Sequence, residues 1–584
     1  MKSTAIESEL LRRAARCWSA SHLIVDYYRI RRRLAYPLPI QGLRIPQVPA
    51  PTINNYPWSI WLLWSLEERI GALGWTAQWL GTQEAKRAVV RDLSALADWP
   101  SFRQLDLPDL AMGHAARILW VALKHWTWLD ESVQTGLRLA CRRLFADALP
   151  GLVKANASIT TKSDVLASGN AHILLHNIRL IGAIGAAAAG VAGGVAEVEQ
   201  VQALLRALIP ALLDRRFTGH TEGVAYDGYL LDFIMLWLET LAPDQQKEIL
   251  DHPRLGDYLE QSYRMSAPGN LMNVAELGDI EPVEMPFHAA AQAKLQRFRP
   301  DAARAWYLGG CALDRLPADA LAALREVPEP DAAFQPVAGA LEAHQSIVLR
   351  SGWAPEDLAV VVGASNSSMG HIHFDYGSLL IGTQEHWVIT DPGYQQYMKK
   401  KEREFTIGPA AHNLPMINGL APTSKAGRRL ALGSQGPTRW MAKLDVTGCY
   451  PATLQLKQVT RTLWLEGNHR VVVADEIEGN PDLTLNYHWH GDREAAWWIE
   501  GGQALIHLPG IQLRLASPSN DLLESQLDRL PGSRGQLTLK AATTLAKSPI
   551  WWVFSLGEGA IAPITVAGRR LQIGDTLFDL DQAG

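Results

Sequence analysis

Hydrophobic residues recur with two different periods along the chain, and the change of period divides it into two halves. From about residue 7 to residue 324, apolar side chains follow the 3.6-residue spacing of amphipathic helices. The segments that show this spacing most clearly are 58–80, 114–129, 201–213 and 230–241. Successive helices with short connections bury their apolar faces on one another, so the first half predicts a helical array.

The second half contains short runs rich in β-branched and aromatic residues, with a period of two. Examples are SIVLRSG, DLAVVVGAS, HRVVVADEIEG and LTLNYHWHG. The runs are closed by Gly, Pro, Asn or Asp, as is typical of strands that end in turns, and many such strands predict an antiparallel sandwich. The stretch 325–345 between the halves is rich in Pro, Ala and acidic residues and is predicted to be a linker.

These patterns predict an α+β multidomain protein. We expect an N-terminal segment over residues 1–50, a helical domain over 51–330 and an antiparallel β-sandwich domain over 345–584. A chain of 584 residues is too long for a single hydrophobic core, which agrees with this division. The four cysteines are far apart and form no CxxC pair, so neither a disulfide framework nor a cysteine zinc site is expected.

The charge balance limits the possible partners. The formal net charge is −5, so no global basic field exists to hold nucleic acid, and an acidic polymer would need a local patch of Arg and Lys. Residues 181–196 are built from Gly and Ala and are shorter than the roughly 20 strongly apolar residues of a membrane span, so no span is expected. The N-terminus carries charged residues where a secretory signal needs an apolar run, which favours a cytoplasmic location, with periplasmic export by a non-standard route as the alternative.

The strongest local signal for chemistry is the run HIHFD at residues 371–375, at the start of a strand-like segment. If this run is a strand, alternate side chains share a face, so His371, His373 and Asp375 project together. Two imidazoles and a carboxylate on one face form a polar cluster that a core does not bury without partners. A solvated edge strand with hydrogen-bonded histidines would explain the same run.

Further motifs follow this run in order along the chain. They are GSLLIG, TDPGYQQY, REF, AAHN and MINGL, and VVVADEIEG comes later. Together they resemble the C-terminal domain of the heparinase II/III-like polysaccharide lyase family. The resemblance implies an N-terminal incomplete α/α toroid followed by a C-terminal antiparallel β-sandwich.

The resemblance extends, more weakly, into the helical half. The family places an Asn or His early in a helix, and this chain has Asn170 and His172, with His176 one helical turn later. Family members often show Asn-Asn-His, and here an alanine replaces the middle residue, so Asn170 and His172 remain alternatives for one role. An EG loop with tyrosines follows in the family, and the segment EGVAYDGY offers both Tyr226 and Tyr229.

The resemblance implies that a uronic-acid-containing polysaccharide or oligosaccharide is cleaved by β-elimination, which leaves a 4,5-unsaturated uronate end. Removal of the C5 proton leaves charge on the uronate carboxylate, which Asn170 or His172 would stabilise. An acid must protonate the leaving O4, and by resemblance this is Tyr226 or Tyr229. The base is His371 or the tyrosine itself, depending on the stereochemistry of the sugar.

Two further side chains are candidates for substrate binding. Arg403 falls between the Asp-Pro-Gly and His-Asn motifs, where its guanidinium could pair with an acid of the substrate. His176 follows the Asn-Ala-His element by one helical turn.

The resemblance also implies a zinc ion held by His373, Asp391 and His412. Two imidazoles and a carboxylate suit zinc, and a water could complete a tetrahedron. Because elimination needs no activated water, we expect this zinc to brace the strands near His371 in a structural role.

Two other classes of function use the same residues. A metal-dependent glycan hydrolase or oxygenase would make His373, Asp391 and His412 catalytic, but it would leave the segment with Tyr226 unexplained. A non-catalytic carbohydrate-binding protein on the same scaffold would explain the altered Asn-Ala-His element. The sequence leaves open the identity of the polysaccharide, endo or exo action and the oligomeric state.

Overall fold

A computed structural model describes residues 2–27, 32–42, 58–103, 108–167, 171–191, 195–217, 219, 221–280, 285–327, 334–343, 346–369, 371–393, 404–518, 526–528, 536–559 and 561–583. The chain forms two compact units. The helical unit comprises Met1–Arg216, Tyr226–Leu255 and Pro286–Ala333. The sandwich unit comprises Phe217–Ala225, Gly256–Met285 and Phe334–Gly584.

The helices follow the sequence periodicity described above. Within the described residues they are α1 Lys2–Cys17, α2 Trp58–Leu80, α3 Gln83–Ala97, α4 Pro108–His125, α5 Glu131–Ser158, α6 Lys162–Ala167, α7 Ala171–Ala189, α8 Ala196–Phe217, α9 Val224–Leu238, α10 Pro243–Leu250, α11 Arg254–Arg264, α12 Met285–Phe298, α13 Ala302–Gly310 and α14 Ala318–Glu326. The helical unit also contains a hairpin of β1 His22–Tyr27 and β2 Arg32–Pro37. Helix α2 coincides with the predicted helix 58–80.

The small residues of α7 let this helix approach α5 closely. A Cβ atom placed on Gly182 would lie 3.0 Å from Leu152, and one placed on Gly185 would lie 3.0 Å from Leu144. Larger side chains would force the two helices apart, so the Gly- and Ala-rich run serves helix packing. None of the helices in the described ranges is long and apolar enough to cross a membrane.

The sandwich unit is built from antiparallel sheets. Its strands are β3 Ser266–Ala267, β4 Asn270–Val274, β5 Gly339–Ala343, β6 Ser346–Arg350, β7 Ala359–Gly363, β8 Leu379–Thr383, β9 His386–Ile389, β10 Pro415–Ile417, β11 Arg428–Ser434, β12 Arg439–Asp445, β13 Gln458–Glu466, β14 Arg470–Glu478, β15 Thr484–His490, β16 Ala496–Glu500, β17 Gln503–Leu508, β18 Ile511–Ala516, β19 Gln526–Asp528, β20 Thr538–Thr544, β21 Ile550–Leu556, β22 Ile564–Ala567, β23 Arg570–Ile573 and β24 Thr576–Asp579. The larger sheets have the strand orders β5-β6-β7-β8-β9, β11-β12-β13-β14-β21-β18-β17-β16 and β10-β15-β20-β19.

One hydrophobic core joins these three sheets. It contains Val360 of β7, Leu463 of β13, Trp489 of β15 and Trp552 of β21, all fully buried. Strands that bury one face against another sheet have alternating or continuous runs of apolar residues in their sequences. The second half of this sequence shows that pattern. The predicted order of a helical region followed by antiparallel sheets is confirmed.

The predicted linker is partly wrong. Residues Gly339–Ala343, inside the stretch 325–345, form β5, which pairs with β6 from Gly339 opposite Arg350 to Ala343 opposite Ser346. Strand β5 lies at the edge of its sheet, and Ala and Glu have little β propensity of their own. Its conformation therefore comes from pairing with β6, which local composition does not reveal.

Candidate functional site

The HIHFD run is not a strand, contrary to the sequence prediction. Residues 371–377 form turns that precede β8, and Gly377 has a φ of +87°. The amide of Gly377 donates to the carbonyl of Gly363 over 2.7 Å. These turns place the two histidines in different environments. The side chain of His371 is 21% exposed, whereas that of His373 is 1% exposed.

His371 is paired with a glutamate that the sequence analysis assigned no role. Its Nδ1 atom lies 3.1 Å from Oε1 of Glu222, whose side chain is 4% exposed. The segment that carries Glu222 belongs to the same unit and is fixed by Ser367, whose hydroxyl donates to the carbonyl of Thr221 over 2.6 Å. A carboxylate at Nδ1 favours the tautomer with the proton on that atom, which leaves the lone pair on Nε2. The pair with Glu222 therefore fixes the orientation of the His371 ring.

Asp279 and Lys425 hold the turns that carry His371. The amide of Asp279 donates to the carbonyl of His371 over 2.7 Å, and its Oδ1 lies 2.8 Å from Nε2 of His373. From another side, the ammonium of Lys425 donates to the carbonyls of Met369 and Ile372. Burial lowers the pKa of Lys425, against the opposing influence of nearby carboxylates. The position of His371 therefore depends on side chains far away in sequence.

His373, Asp391 and His412 lie close together in the sandwich unit. Nδ1 of His412 lies 2.7 Å from Oδ2 of Asp391, and the rings of His373 and His412 are 5.6 Å apart between centroids. Oδ1 of Asp391 accepts the amide of Gly393, which closes the Asp-Pro-Gly turn. Burial lowers the pKa of His412, but the charge of Asp391 outweighs burial and raises it.

The two buried imidazoles share a feature that bears on metal binding. Each has a carboxylate at one nitrogen, namely Asp279 at Nε2 of His373 and Asp391 at Nδ1 of His412. Among the described residues, Nδ1 of His373 meets no hydrogen-bond partner, and Nε2 of His412 makes no well-formed hydrogen bond. A histidine that binds zinc typically donates its other nitrogen to a carboxylate, so the chemistry of this pair fits the metal. Within the described ranges, no group of three or more His, Cys, Asp or Glu side chains is arranged to hold an ion.

The Asn of the His-Asn motif has a structural role. The side-chain amide of Asn413 donates to the carbonyls of Leu379 and Thr390, both over 2.8 Å. The side-chain Oδ1 of Asn413 accepts a hydrogen bond from the backbone amide of His490 over 2.9 Å. The backbone amide of Asn413 donates to the hydroxyl of Ser378 over 3.0 Å. Asn413 therefore links segments of three strands while remaining fully buried.

The Asp of the VVVADEIEG run is also structural. Asp475 accepts two hydrogen bonds from Arg461, at 2.7 and 2.9 Å. The same guanidinium donates to the carbonyls of Gly377 and Asn413, at 2.8 and 2.7 Å. This bidentate pair fixes the turns after His371 and the His-Asn motif together.

The two candidate tyrosines lie in the helical unit. Resemblance implied a loop, but Tyr226 and Tyr229 occupy the first two turns of α9, directly after the EG dipeptide. The hydroxyl of Tyr229 lies 3.3 Å from Nε2 of His114 on α4. Tyr226 is partly buried, one helical turn earlier.

Four predicted residues cannot be placed in full. Asn170 and Arg403 lie outside the described residues. His172 and His176 belong to α7, but their side chains are outside the described part of the structure. Their roles stay predictions.

Comparisons with known proteins bear on the family and the fold. Residues 347–563 match the model of the heparinase II/III-like C-terminal domain. No curated protein matches the sequence. Among solved structures, the chain is similar to heparan sulfate lyase HepC from Pedobacter heparinus, with 11% identity, 98% of this chain and 88% of that chain covered, and a TM-score of 0.54. It is also similar to the heparinase III BT4657 gene product with methylated lysines, with 12% identity, 98% and 90% coverage, and a TM-score of 0.51.

At such low identity the structural likeness establishes the fold. The predicted incomplete α/α toroid followed by an antiparallel β-sandwich is confirmed. Residues 347–563 thus form a heparinase II/III-like C-terminal domain, which contains the motifs from HIHFD to VVVADEIEG that suggested the family.

Proposed function

We propose that this protein cleaves a uronic-acid-containing polysaccharide or oligosaccharide by β-elimination and leaves a 4,5-unsaturated uronate end. The observation that carries the proposal is the pairing of His371 with Glu222, 3.1 Å apart. It presents a partly exposed imidazole, oriented by a buried carboxylate, on the domain that matches the family model. An oriented imidazole is a suitable base near neutral pH.

The stereochemistry of the sugar decides which group takes the C5 proton. Where the C5 proton and O4 lie on opposite faces of the ring, two groups are needed, and His371 takes the proton while a tyrosine of α9 protonates O4. Where they lie on the same face, the tyrosine, Tyr226 or Tyr229, can do both. In either case the uronate carboxylate needs a hydrogen-bond donor, for which we propose Asn170 or His172. Arg403 and His176 are proposed to bind other acidic groups of the substrate.

Zinc is part of the proposal in a structural role. His373 would hold it through Nδ1 and His412 through Nε2, the nitrogens opposite their carboxylate partners. Asp391, the third predicted ligand, lies at Nδ1 of His412, so in this arrangement it would orient that imidazole and not bind the ion directly. When bound, the ion supplies a fixed positive charge and a cross-link between the turns at 371–377 and the His-Asn motif. The proton transfers of the reaction are assigned to protein side chains alone.

The substrate class follows from the chemistry and not from the polymer named for any relative. Heparan sulfate, which HepC cleaves according to its name, contains uronate, as do chondroitin, dermatan and alginate. Elimination and hydrolysis differ by one water in the mass of the new non-reducing end. Mass spectrometry of oligosaccharide products from this panel tests the proposal. We expect products that lack the added water, and fully hydrated products would overturn it.

A further inference from the structure

A chain of hydrogen bonds runs through the helical unit from α9 to α2. The hydroxyl of Tyr229 lies 3.3 Å from Nε2 of His114, and Nδ1 of His114 lies 2.6 Å from Oε2 of Glu67. The side chains of His114 and Glu67 are 1% and 14% exposed. Sequence reasoning gave neither residue a role. The geometry links a candidate proton-transfer tyrosine to an imidazole and then to a carboxylate.

The carboxylate end of this chain is held as an anion. Burial raises the pKa of Glu67, but the nearby charge of Arg117 and the hydrogen bond from His114 outweigh it, so the pKa falls below its ordinary value. Nε of Arg117 lies 3.0 Å from Oε1 of Glu67. An ionised Glu67 accepts the Nδ1 proton of His114, so Nε2 keeps its lone pair toward the hydroxyl of Tyr229.

Other charged side chains surround this pair. Arg117 of α4 also pairs with Asp232 of α9, and Lys294 of α12 lies 2.8 Å from the same carboxylate. Asp319 of α14 contributes a further acidic group within electrostatic reach. Burial raises the pKa of Tyr229, and the charge of Arg117 opposes this only in part. At rest, therefore, Tyr229 is a protonated phenol that donates to His114.

Tyr229, His114 and Glu67 are arranged like a catalytic triad of nucleophile, histidine base and orienting carboxylate. Tyr229 takes the position of the nucleophile. In such an arrangement the imidazole accepts the proton of the first group, and the carboxylate stabilises the imidazolium that forms. Trp64 stacks on His114 with ring planes 15° apart, which fixes the plane of the imidazole. The imidazole can thus receive a proton without reorienting.

We propose that His114 and Glu67 are positioning residues for Tyr229 and hold its proton while it acts on uronates whose C5 proton and O4 share a face. This inference rests on the proposed function. As the oxygen of Tyr229 takes the C5 proton, its own proton moves to Nε2 of His114. The electron pair of the C5–H bond forms the C4–C5 double bond, and the C4–O4 bond breaks. Tyr229 then gives a proton to O4 and recovers its own from His114.

The test compares two polymers that differ at C5. In glucuronate the C5 proton and O4 lie on the same face, and in iduronate they lie on opposite faces. Glu67→Gln keeps the size of the side chain and leaves Arg117 paired with Asp232, and His114→Phe keeps an aromatic ring but removes both nitrogens. We expect both to lower kcat on a glucuronate polymer by about 100-fold, with KM unchanged, because general acid–base transfer contributes at least that factor.

The iduronate polymer serves as the internal control for folding. On it, the two variants should keep most of their activity, since His371 is the base in that route. His125→Phe is the matched control on the same helix, because His125 also contacts a carboxylate, Glu239, and lies outside the chain to Tyr229. It should leave kcat unchanged on both polymers.

Each outcome decides between the two proposals. Unsaturated products from the wild type, with equal losses on both polymers or no loss in the variants, would overturn the role of His114 and Glu67. Activity of the wild type on the iduronate polymer alone would also overturn it. A wild type that releases no unsaturated product from any uronate polymer would instead reject the proposed function itself.

Discussion

Nδ1 of His371 lies 3.1 Å from Oε1 of Glu222, although the two residues are 149 positions apart in the chain. The pair ties the EG dipeptide to the HxH motif within the sandwich unit. A carboxylate in this position orients the ring and favours the tautomer with the proton on Nδ1.

Glu222→Gln should lower kcat on an iduronate polymer by about 100-fold while leaving KM nearly unchanged, because the amide no longer fixes the tautomer of His371. Steady-state kinetics measure this effect. Glu478→Gln is the matched control, since Glu478 is exposed at the end of β14. Equal kcat for Glu222→Gln and the wild type would refute the role given to Glu222.

Asn413→Ala should destabilise the protein by about 3 kcal/mol or more. The substitution leaves the buried carbonyls of Leu379 and Thr390 and the amide of His490 without partners, and each costs about 1–3 kcal/mol. Urea unfolding followed by fluorescence measures the loss. Asn480→Ala, at an exposed turn, is the control and should change stability by less than about 1 kcal/mol. A loss for Asn413→Ala no larger than for the control would contradict the structural role.

The stability of the helical unit should fall below about pH 4.5 in a way that depends on Glu239. Burial raises the pKa of Glu239, but the hydrogen bond from His125 and the charge of Arg297 outweigh it and lower the pKa to about 2. The folded state therefore binds a proton less readily than the unfolded state. The stabilisation is complete above the unfolded pKa of about 4.5 and is lost as the pH falls toward 2.

This contribution amounts to about 3 kcal/mol, and Glu239→Gln removes it. The difference in unfolding free energy between wild type and variant, measured from pH 7 to pH 3, should shrink as the pH falls. A difference that stays constant over this range would show that the carboxylate of Glu239 titrates normally.

Zinc removal should lower the melting temperature of the wild type, because His373 and His412 then lose the ion that satisfies their buried nitrogens. Metal analysis of the purified protein should find zinc, and His412→Ala should lose it. His386→Ala is the control, since His386 is 38% exposed and pairs with Asp492. A wild type that binds no zinc when the metal is supplied would reject this part of the proposal.

Much of the fold could be predicted from the sequence because local periodicity reports local burial. Helix α2 coincides with the predicted segment 58–80, and the run VVVADEIEG lies in β14. Both elements bury apolar side chains, so their patterns are strong. Strand β5 escaped prediction because its pairing with β6, and not its composition, determines its conformation.

The candidate site was predicted in part, and the failures have a common physical cause. The residues His371, His373 and Asp375 were expected to share one face of a strand, but the turn at Gly377 and the close approach of Gly363 to the carbonyl of Asp375 prevent a strand there. Glu222 and Asp279 were missed because they reach the histidines from 149 and 94 positions away. Periodicity carries no information about such contacts.

The most direct test of the central claim is the ultraviolet absorbance of the purified protein incubated with glucuronate- and iduronate-containing polysaccharides. Elimination conjugates a C4–C5 double bond with the carboxylate, and hydrolysis does not. We expect a rise in absorbance that keeps pace with new reducing ends and that His371→Ala abolishes on the iduronate polymer. New reducing ends without any rise in absorbance would contradict it.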